Sequence, residues 1–137
     1  MSTKIFVNLP VRNLSKSIEF FTNLGYSFHP QFTDEKAGCL VISEDIYAML
    51  LVEPFFKTFT TKEVADATKS TEVIVALSAD SRQRVDELVD RAFAAGGRPA
   101  NDPMDQGDMY VRSFQDVDGH IWEVLYMDPA AVRQQAA

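Results

Sequence analysis

A single carboxylate, Glu123, lies in an apolar run near the carboxyl end of the sequence, between Trp122 and Val124. A carboxylate among apolar side chains can act as a general base or accept a hydrogen bond from a bound ligand. Its alternative role is structural, as the partner of Arg112 in a buried ion pair supplied by the neighbouring strand. The residue types alone leave both roles open.

The other residues with reactive side chains suggest less chemistry. Cys39 is the only cysteine, so an intrachain disulfide and a Cys-x-x-Cys metal or redox motif are both excluded. We predict that Cys39 is a small buried hydrophobic residue. His29 and His120 are the only imidazoles, and neither belongs to a recognisable nucleophile motif.

Size and charge limit the class of protein and its partners. The 137 residues suffice for one domain with a sizeable core, and 46% of them are hydrophobic. The longest uninterrupted apolar run, residues 46–52, is too short to span a bilayer. The net charge of −7 disfavours nucleic acids and anionic membranes as partners, because both repel an acidic surface. No export signal is recognisable, so we predict a soluble, cytoplasmic protein that binds small molecules or other proteins.

The first half of the chain must place a strand before a helix. Residues 4–9 predict a strand that ends at Pro10. A helix should follow, with Asn13 as its N-cap and Gly25 ending it in a left-handed conformation. Its buried face is predicted from the spacing of Leu14, Ile18 and Phe21. Three extended pieces should complete this half, residues 26–33, 38–43 and 46–53.

Residues 54–70 interrupt this pattern and predict a connector. Pro54 should end the preceding strand, while Thr60 and Glu63 form a Thr-x-x-Glu capping box that predicts one short helix. The connector also carries three aromatic residues, which either seal the gap between the halves or form a lid over a pocket or a dimer contact: Phe55, Phe56 and Phe59.

After the connector the order of elements repeats. Residues 72–78 predict a strand, and a helix should follow with Asp80 as its N-cap and Gly96 after its end. The buried face of this helix is predicted to carry Val85, Leu88, Val89, Ala92 and Phe93. Three extended pieces follow, residues 98–100, 109–115 and 120–126, the last two joined by a turn at Asp118 and Gly119.

Two successive βαβββ modules therefore make up the chain. We predict an α+β fold in which the modules form a cupped mixed sheet with the helices on its outer face. Within a single domain of residues 1–137, the modules are residues 1–53 and 71–128, the connector is 54–70 and the tail is 129–137. Each half-sheet leaves one face without a helix, and two such faces turned toward each other would form a pocket for a small ligand.

The repeated pattern resembles a known family. The first half carries NLPVRNLSKSIEFFTNLGY, and the second carries SFQDVDGHIWEVLYMDP, with an Asp-x-Asp-Gly-x-x-x-Glu ending from Asp116 to Glu123. These stretches resemble the vicinal oxygen chelate superfamily, which includes glyoxalase I, extradiol dioxygenases, and bleomycin and fosfomycin resistance proteins. The resemblance spans nearly the whole chain and implies the fold, whereas the activities of this family range from isomerase and dioxygenase to transferase and pure binding.

The resemblance also implies where a metal site would lie. In the metal-dependent members, each half supplies one ligand from its first strand and one from its last, usually His or Glu. In this sequence the first-strand places fall on Phe6 and Ile74, and the last-strand places fall on or beside Leu51 and on Glu123. A shift by two would move the Leu51 place to Glu53. One carboxylate does not complete a site for a divalent ion, so we predict no metal and no other cofactor.

Strand alternation predicts which side chains line the pocket. It places Ile121 and Leu125 beside Glu123 and sends Trp122 and Val124 to the helix side. The other predicted ligand-binding residues are Phe6, Asn8, Met49, Leu51, Phe55, Phe56, Ile74, Tyr110 and Arg112. The ordinary alternative for the apolar ones is plain hydrophobic core.

We predict a protein of the glyoxalase and bleomycin resistance type that binds a small, largely apolar molecule and forms a homodimer, as members of this superfamily commonly do. The alternative is a metal-independent lyase or isomerase of the same family, with Glu123 as its base. Glyoxalase and dioxygenase activity are disfavoured, because three of the four ligand places are apolar and that chemistry needs a Lewis acid.

Overall fold

The computed structural model describes residues 2–130, so residues 131–137 of the predicted tail lie outside the described part of the chain. The chain divides into two compact units between Ser70 and Thr71. Each unit has one sheet and one long helix, and the fold class is α+β as predicted. No helix within residues 2–130 is long and apolar enough to cross a membrane.

The first unit contains the predicted βαβββ order. Its elements are β1 (Ile5–Val11), α1 (Leu14–Asn23), β2 (Ser27–Phe28), β3 (Ala37–Ser43), β4 (Ile46–Val52) and the short helix α2 (Glu53–Phe56), with 3-10 turns at Pro30–Phe32 and Lys57–Phe59. The sheet order is β1-β4-β3-β2, with β1 parallel to β4 and the other pairs antiparallel. Asn13 caps α1 by accepting a hydrogen bond from the Lys16 amide, and Gly25 has a φ of 104°, so both predicted helix ends are confirmed.

Helix α1 covers one face of the first sheet. A Cβ at Gly38 would lie 3.2 Å from both Leu14 Cδ1 and Phe28 Cε2, so the helix approaches β3 at the position where a side chain is lacking. The buried residues of this layer are Leu9, Val11, Leu14, Phe20, Phe21, Leu24, Leu40, Ala48 and Leu50. Cys39, on the opposite face, is also buried as predicted, and this burial raises the pKa of its thiol.

Proline residues explain two differences from the predicted strands. β1 runs through Pro10 to Val11, because β1 is an edge strand and an edge tolerates the missing amide donor. The extended piece predicted at residues 26–33 is reduced to Ser27–Phe28, because Pro30 begins a 3-10 turn.

The helix predicted at the Thr60 capping box is wrong. The Thr60 hydroxyl accepts a hydrogen bond from the Lys62 amide at 3.1 Å, which makes a local turn, and no helix follows it. The helical residues of this segment lie earlier, at Glu53–Phe56 and Lys57–Phe59. Pro54 stands in the first turn of α2, where its missing amide costs nothing, so it begins a helix as well as following a strand.

The second unit repeats the topology with one interrupted strand. Its elements are β5 (Ile74–Ser78), α3 (Arg82–Ala94), β6 (Arg98–Pro99), β7 (Met104–Asp105), β8 (Met109–Gln115) and β9 (Ile121–Met127). The sheet order is β5-β9-β8-β6, β7 also pairs with β8, and β5 is parallel to β9. The short β7 was not predicted.

The cap of α3 is Ser81 and not Asp80, because the Ser81 hydroxyl accepts a hydrogen bond from the Arg84 amide at 3.0 Å. The helix packs against β8 and β9. The buried residues of this layer are Val85, Leu88, Val89, Ala92, Phe114, Trp122 and Val124, so four of the five residues predicted for the helix face are buried and Phe93 is half-buried.

Candidate functional site

Glu123 lies on the sheet face opposite α3, which we call the second face of the second sheet. Trp122 and Val124 are fully buried on the α3 side, whereas Ile121, Glu123 and Leu125 are half-buried. The predicted alternation along β9 is therefore confirmed. The second face places the carboxylate between two aliphatic side chains of its own strand.

Two neighbouring strands supply the residues beside Glu123, and neither donates a hydrogen bond to it. Its register partners are Ala76 on β5 and Ser113 on β8. The Ser113 hydroxyl accepts from the Asn101 amide at 2.9 Å and donates to the Asn101 carbonyl at 3.3 Å. The Gln115 side-chain amide donates to the Pro99 carbonyl at 3.0 Å. Within residues 2–130, no hydrogen bond or ion pair reaches the Glu123 carboxylate.

Arg112 does not pair with Glu123, contrary to the structural role considered from the sequence. Its register partner is Val124, so it lies on the α3 side of the sheet. There its guanidinium donates to Asp86 at 2.9 Å and to Asp90 at 3.1 Å. The Arg112 side chain is only 16% exposed, so this pair ties α3 to β8.

Tyr110 belongs to the same cluster on the α3 side. Its hydroxyl donates to Asp86 at 2.7 Å, and this hydrogen bond lowers the pKa of Asp86 and raises the pKa of Tyr110. The guanidinium of Arg82 also lies 5.0 Å from the centre of the Tyr110 ring. The structure thus brings Tyr110 and Arg112 together with each other but not with Glu123.

The Asp-x-Asp-Gly turn before β9 has a structural role that the sequence analysis did not assign. One oxygen of the buried Asp116 carboxylate accepts from the amides of Asp118 at 2.9 Å and His120 at 3.0 Å. The other oxygen accepts from the Trp122 indole at 3.0 Å. Burial raises the pKa of the Asp116 carboxyl. Asp116 therefore fixes the turn that sets the register of Glu123.

In the first unit, the face opposite α1 carries most of the other predicted ligand-binding residues. We call it the second face of the first sheet, and its strands β1 and β4 contribute Phe6, Asn8, Tyr47, Met49 and Leu51. The rings of Phe6 and Tyr47 stack at 4.9 Å with planes 10° apart, although the sequence analysis had not named Tyr47. Phe6 is 51% exposed, whereas Leu51 is only 3% exposed.

The connector aromatics form a cluster of their own after β4. The Phe55 and Phe59 rings meet edge to face at 5.1 Å, and the Lys36 ammonium lies 5.8 Å from the centre of the Phe55 ring. Phe55 and Phe56 are half-buried, and Phe59 is 64% exposed. The lid and dimer-contact roles of these residues stay predictions.

The strand registers show which residues of the two units are equivalent at the four places that the family uses for metal ligands. Phe6 lies seven residues before the cap Asn13, and Ile74 lies seven residues before the cap Ser81, so these first-strand places are equivalent. In the second unit, Glu123 pairs with Ala76, two residues beyond Ile74. The same step from Phe6 leads to Asn8, whose partner is Met49.

By strand register, the first-unit counterpart of Glu123 is therefore Met49, two residues before Leu51, the place named from the sequence. The four places carry Phe6, Met49, Ile74 and Glu123, which together offer one carboxylate and one soft thioether. This set does not fit a divalent metal site with nitrogen and oxygen ligands. In the described part of the chain, no three His, Cys, Asp or Glu side chains are grouped so that they could hold a metal ion.

Residues 5–124 match the model of the Glyoxalase/Bleomycin resistance protein/Dioxygenase superfamily. The chain belongs to this superfamily. No curated protein matches the chain at a significant level.

Several solved structures are similar in fold to this chain. A hypothetical protein from S. aureus is 27% identical, with a TM-score of 0.77, over 92% of this chain and 95% of that one. A glyoxalase-related enzyme from Fulvimarina pelagi is 18% identical, with a TM-score of 0.77, over 92% and 88% of the two chains. The fosfomycin resistance protein FosX from Listeria monocytogenes, solved with Mn(II) and sulfate, is 18% identical, with a TM-score of 0.69, over 100% and 99%.

Proposed function

We propose that this member of the superfamily binds a small, largely apolar molecule on the second faces of its sheets, without the metal site of its metal-dependent relatives. The observation that carries the proposal is the set of side chains at the four ligand places. Three of them, Phe6, Met49 and Ile74, are apolar, and only Glu123 is a carboxylate. The superfamily fold is retained while the side chains favour an apolar ligand.

Exposure separates this proposal from the alternative that the apolar residues are plain core. Core side chains of this protein, such as Leu50 and Trp122, have no exposed surface. Phe6 and Ile74 are instead 51% and 46% exposed. Full burial of a large apolar side chain contributes about 1.5–3 kcal/mol, so a side chain that is half exposed forgoes roughly half of this free energy. A ligand that covers them would recover part of this free energy.

The stacked pair of Phe6 and Tyr47 favours a flat ligand. The two rings are nearly parallel, and the Tyr47 hydroxyl is held by the Glu44 carbonyl at 2.9 Å. A ring fixed in this way offers a stacking surface at little cost in side-chain entropy. Asn8, exposed on the same face, can add a hydrogen bond to a polar group of the ligand.

The test is a fluorescence titration with N-phenyl-1-naphthylamine, a neutral apolar dye, together with native mass spectrometry. We expect saturable binding of one dye per chain, weakened about tenfold or more by Phe6→Ala, the loss that removing one well-packed aromatic contact produces. Phe32→Ala is the matched control, because Phe32 is 60% exposed but lies in a 3-10 turn outside β1 and β4. Absence of saturable binding would reject the proposal, and so would equal losses in the two variants.

A second candidate function is a metal-independent lyase or isomerase with Glu123 as general base. It is favoured by the Glu123 carboxylate, to which no donor within residues 2–130 is hydrogen-bonded, so that its oxygens are available to a substrate proton. Turnover of a carbonyl substrate that is lost in Glu123→Gln, with dye binding retained, would establish it. Binding without any turnover would leave the first function.

We also propose a homodimer. β1 and β5 are edges within their units, and Ile5 on β1 is an exposed apolar side chain outside the proposed ligand site that a second copy would cover. Native mass spectrometry should therefore find twice the chain mass of 15.4 kDa. A monomer at micromolar concentration would reject this part of the proposal.

A further inference from the structure

We propose that the ligand is an organic cation, with an apolar body that contacts Ile74 on the second face of the second sheet and one protonated amine that binds the Glu123 carboxylate. This inference rests on the proposed binding function and names the class of ligand.

Every potential donor beside Glu123 on β8 is already engaged elsewhere. The Ser113 hydroxyl donates to the Asn101 carbonyl, and the Gln115 amide donates to the Pro99 carbonyl. Arg112 is directed to the opposite side of the sheet, where it binds two carboxylates of α3. The donors of β8 that could have hydrogen-bonded the Glu123 carboxylate are thus bonded to other acceptors.

The nearest remaining neighbours of Glu123 on the second face are apolar, and the hydroxyl of Ser78 lies diagonally across on β5, where its register partner is Leu125. Ala76 faces it from β5, and Ile121 and Leu125 flank it on β9. A carboxylate beside such side chains attracts a cation more strongly than one surrounded by water, because fewer water molecules screen the pair. The exposed Ile74 on the same face offers contact to the apolar body of the ligand.

Charge favours an amine over a neutral hydroxyl. An ionised carboxylate only accepts hydrogen bonds, and its bonds to cationic donors are about twice as strong as those to neutral donors. The net charge of −7 adds an attraction for cations over the whole surface. A bare metal ion is not favoured at this place, because Glu123 would be its single carboxylate.

The experiment compares two probes that differ only in the polar group, 1-naphthylmethylamine and 1-naphthylmethanol, by isothermal titration at pH 7. We expect the amine to bind about tenfold more tightly, as a charge-assisted hydrogen bond would provide. Glu123→Gln should remove this preference and leave the affinity for the alcohol unchanged. Glu87→Gln is the matched control, since it makes the same change in net charge on α3 and should keep the preference.

The outcomes separate the inference from the function on which it rests. Equal affinities for the two probes in the wild-type protein would overturn the cation assignment and leave apolar binding in place. A preference that survives in Glu123→Gln would also overturn the assignment, because the amine would then bind elsewhere. If neither probe binds, both the inference and the proposed function are rejected. Circular dichroism of each variant confirms that the fold is retained.

Discussion

The Trp122 indole donates a hydrogen bond to the Asp116 carboxylate at 3.0 Å, across the turn that joins β8 to β9. The same carboxylate accepts two backbone amides of the turn. Trp122 is fully buried between the sheet and α3, and Glu123 follows it on the opposite face. The orientation of Glu123 is thus determined by Asp116, a buried residue of the turn that takes no part in the proposed binding.

Removal of the Asp116 carboxylate should destabilise the protein strongly. Asp116→Ala removes the acceptor of three hydrogen bonds from buried or half-buried residues, and each lost bond costs about 1 kcal/mol. We therefore expect the free energy of unfolding, measured by urea denaturation, to fall by roughly 3 kcal/mol. Asp102→Ala, at an exposed position, is the control. A loss no larger than that of the control would show that the turn is held by other contacts.

Arg112 should matter for stability and not for ligand binding. Arg112→Met removes the bonds to Asp86 and Asp90 but keeps much of the side-chain volume. Because both acidic partners are substantially exposed, we expect a loss of only about 1–2 kcal/mol in urea unfolding. Affinity for naphthyl probes should remain unchanged. Weaker probe binding with unaltered stability would instead place Arg112 in the ligand site, as the sequence suggested.

The case of Arg112 shows what the sequence could and could not determine about the site. Alternation along a strand determines which of its residues share a face, and it correctly predicted that Trp122 and Val124 lie on the helix side. Which residues of two strands share a face depends on the length of the turn between them. In this turn the Asp116 amide bonds the His120 carbonyl at 2.9 Å, and the resulting register sets Ser113 opposite Glu123. Strand periodicity reveals neither the hydrogen bond between Asp116 and His120 nor the pairing of Ser113 with Glu123.

The cap signals of the two long helices succeeded where one residue satisfied the requirement and failed where two competed. Asn13 and Gly25 had no rivals, and both helix ends were predicted. Asp80 and Ser81 were both suitable caps, and the geometry of α3 selected Ser81. The counterpart of Glu123 on β4 could not be derived from the sequence for a related reason, because a run of apolar residues cannot fix its own register against β1. The pairing of Asn8 with Met49 supplies that register.

The ion pair between Arg82 and Asp105 should make stability depend on pH in the acid range. Two hydrogen bonds of 2.8 Å from the guanidinium hold the pKa of Asp105 at about 2, below its ordinary 3.8. A carboxyl group whose pKa is lower in the folded state stabilises the protein above its unfolded pKa, and this contribution is lost as pH falls through the folded value. The stability difference between wild type and Asp105→Asn, measured by thermal unfolding, should therefore shrink as the pH falls from about 4 to about 2. A difference that stays constant over this range would show that the pair does not contribute.

The absence of a metal site can be tested by metal retention. We expect the wild-type protein to retain no nickel or zinc in native mass spectrometry, because Phe6, Met49 and Ile74 supply no nitrogen or oxygen ligand. Glu123→Ala, measured in parallel, removes the one carboxylate among the four places and should give the same metal-free mass. One metal per chain in the wild type, lost in Glu123→Ala, would contradict the metal-free site.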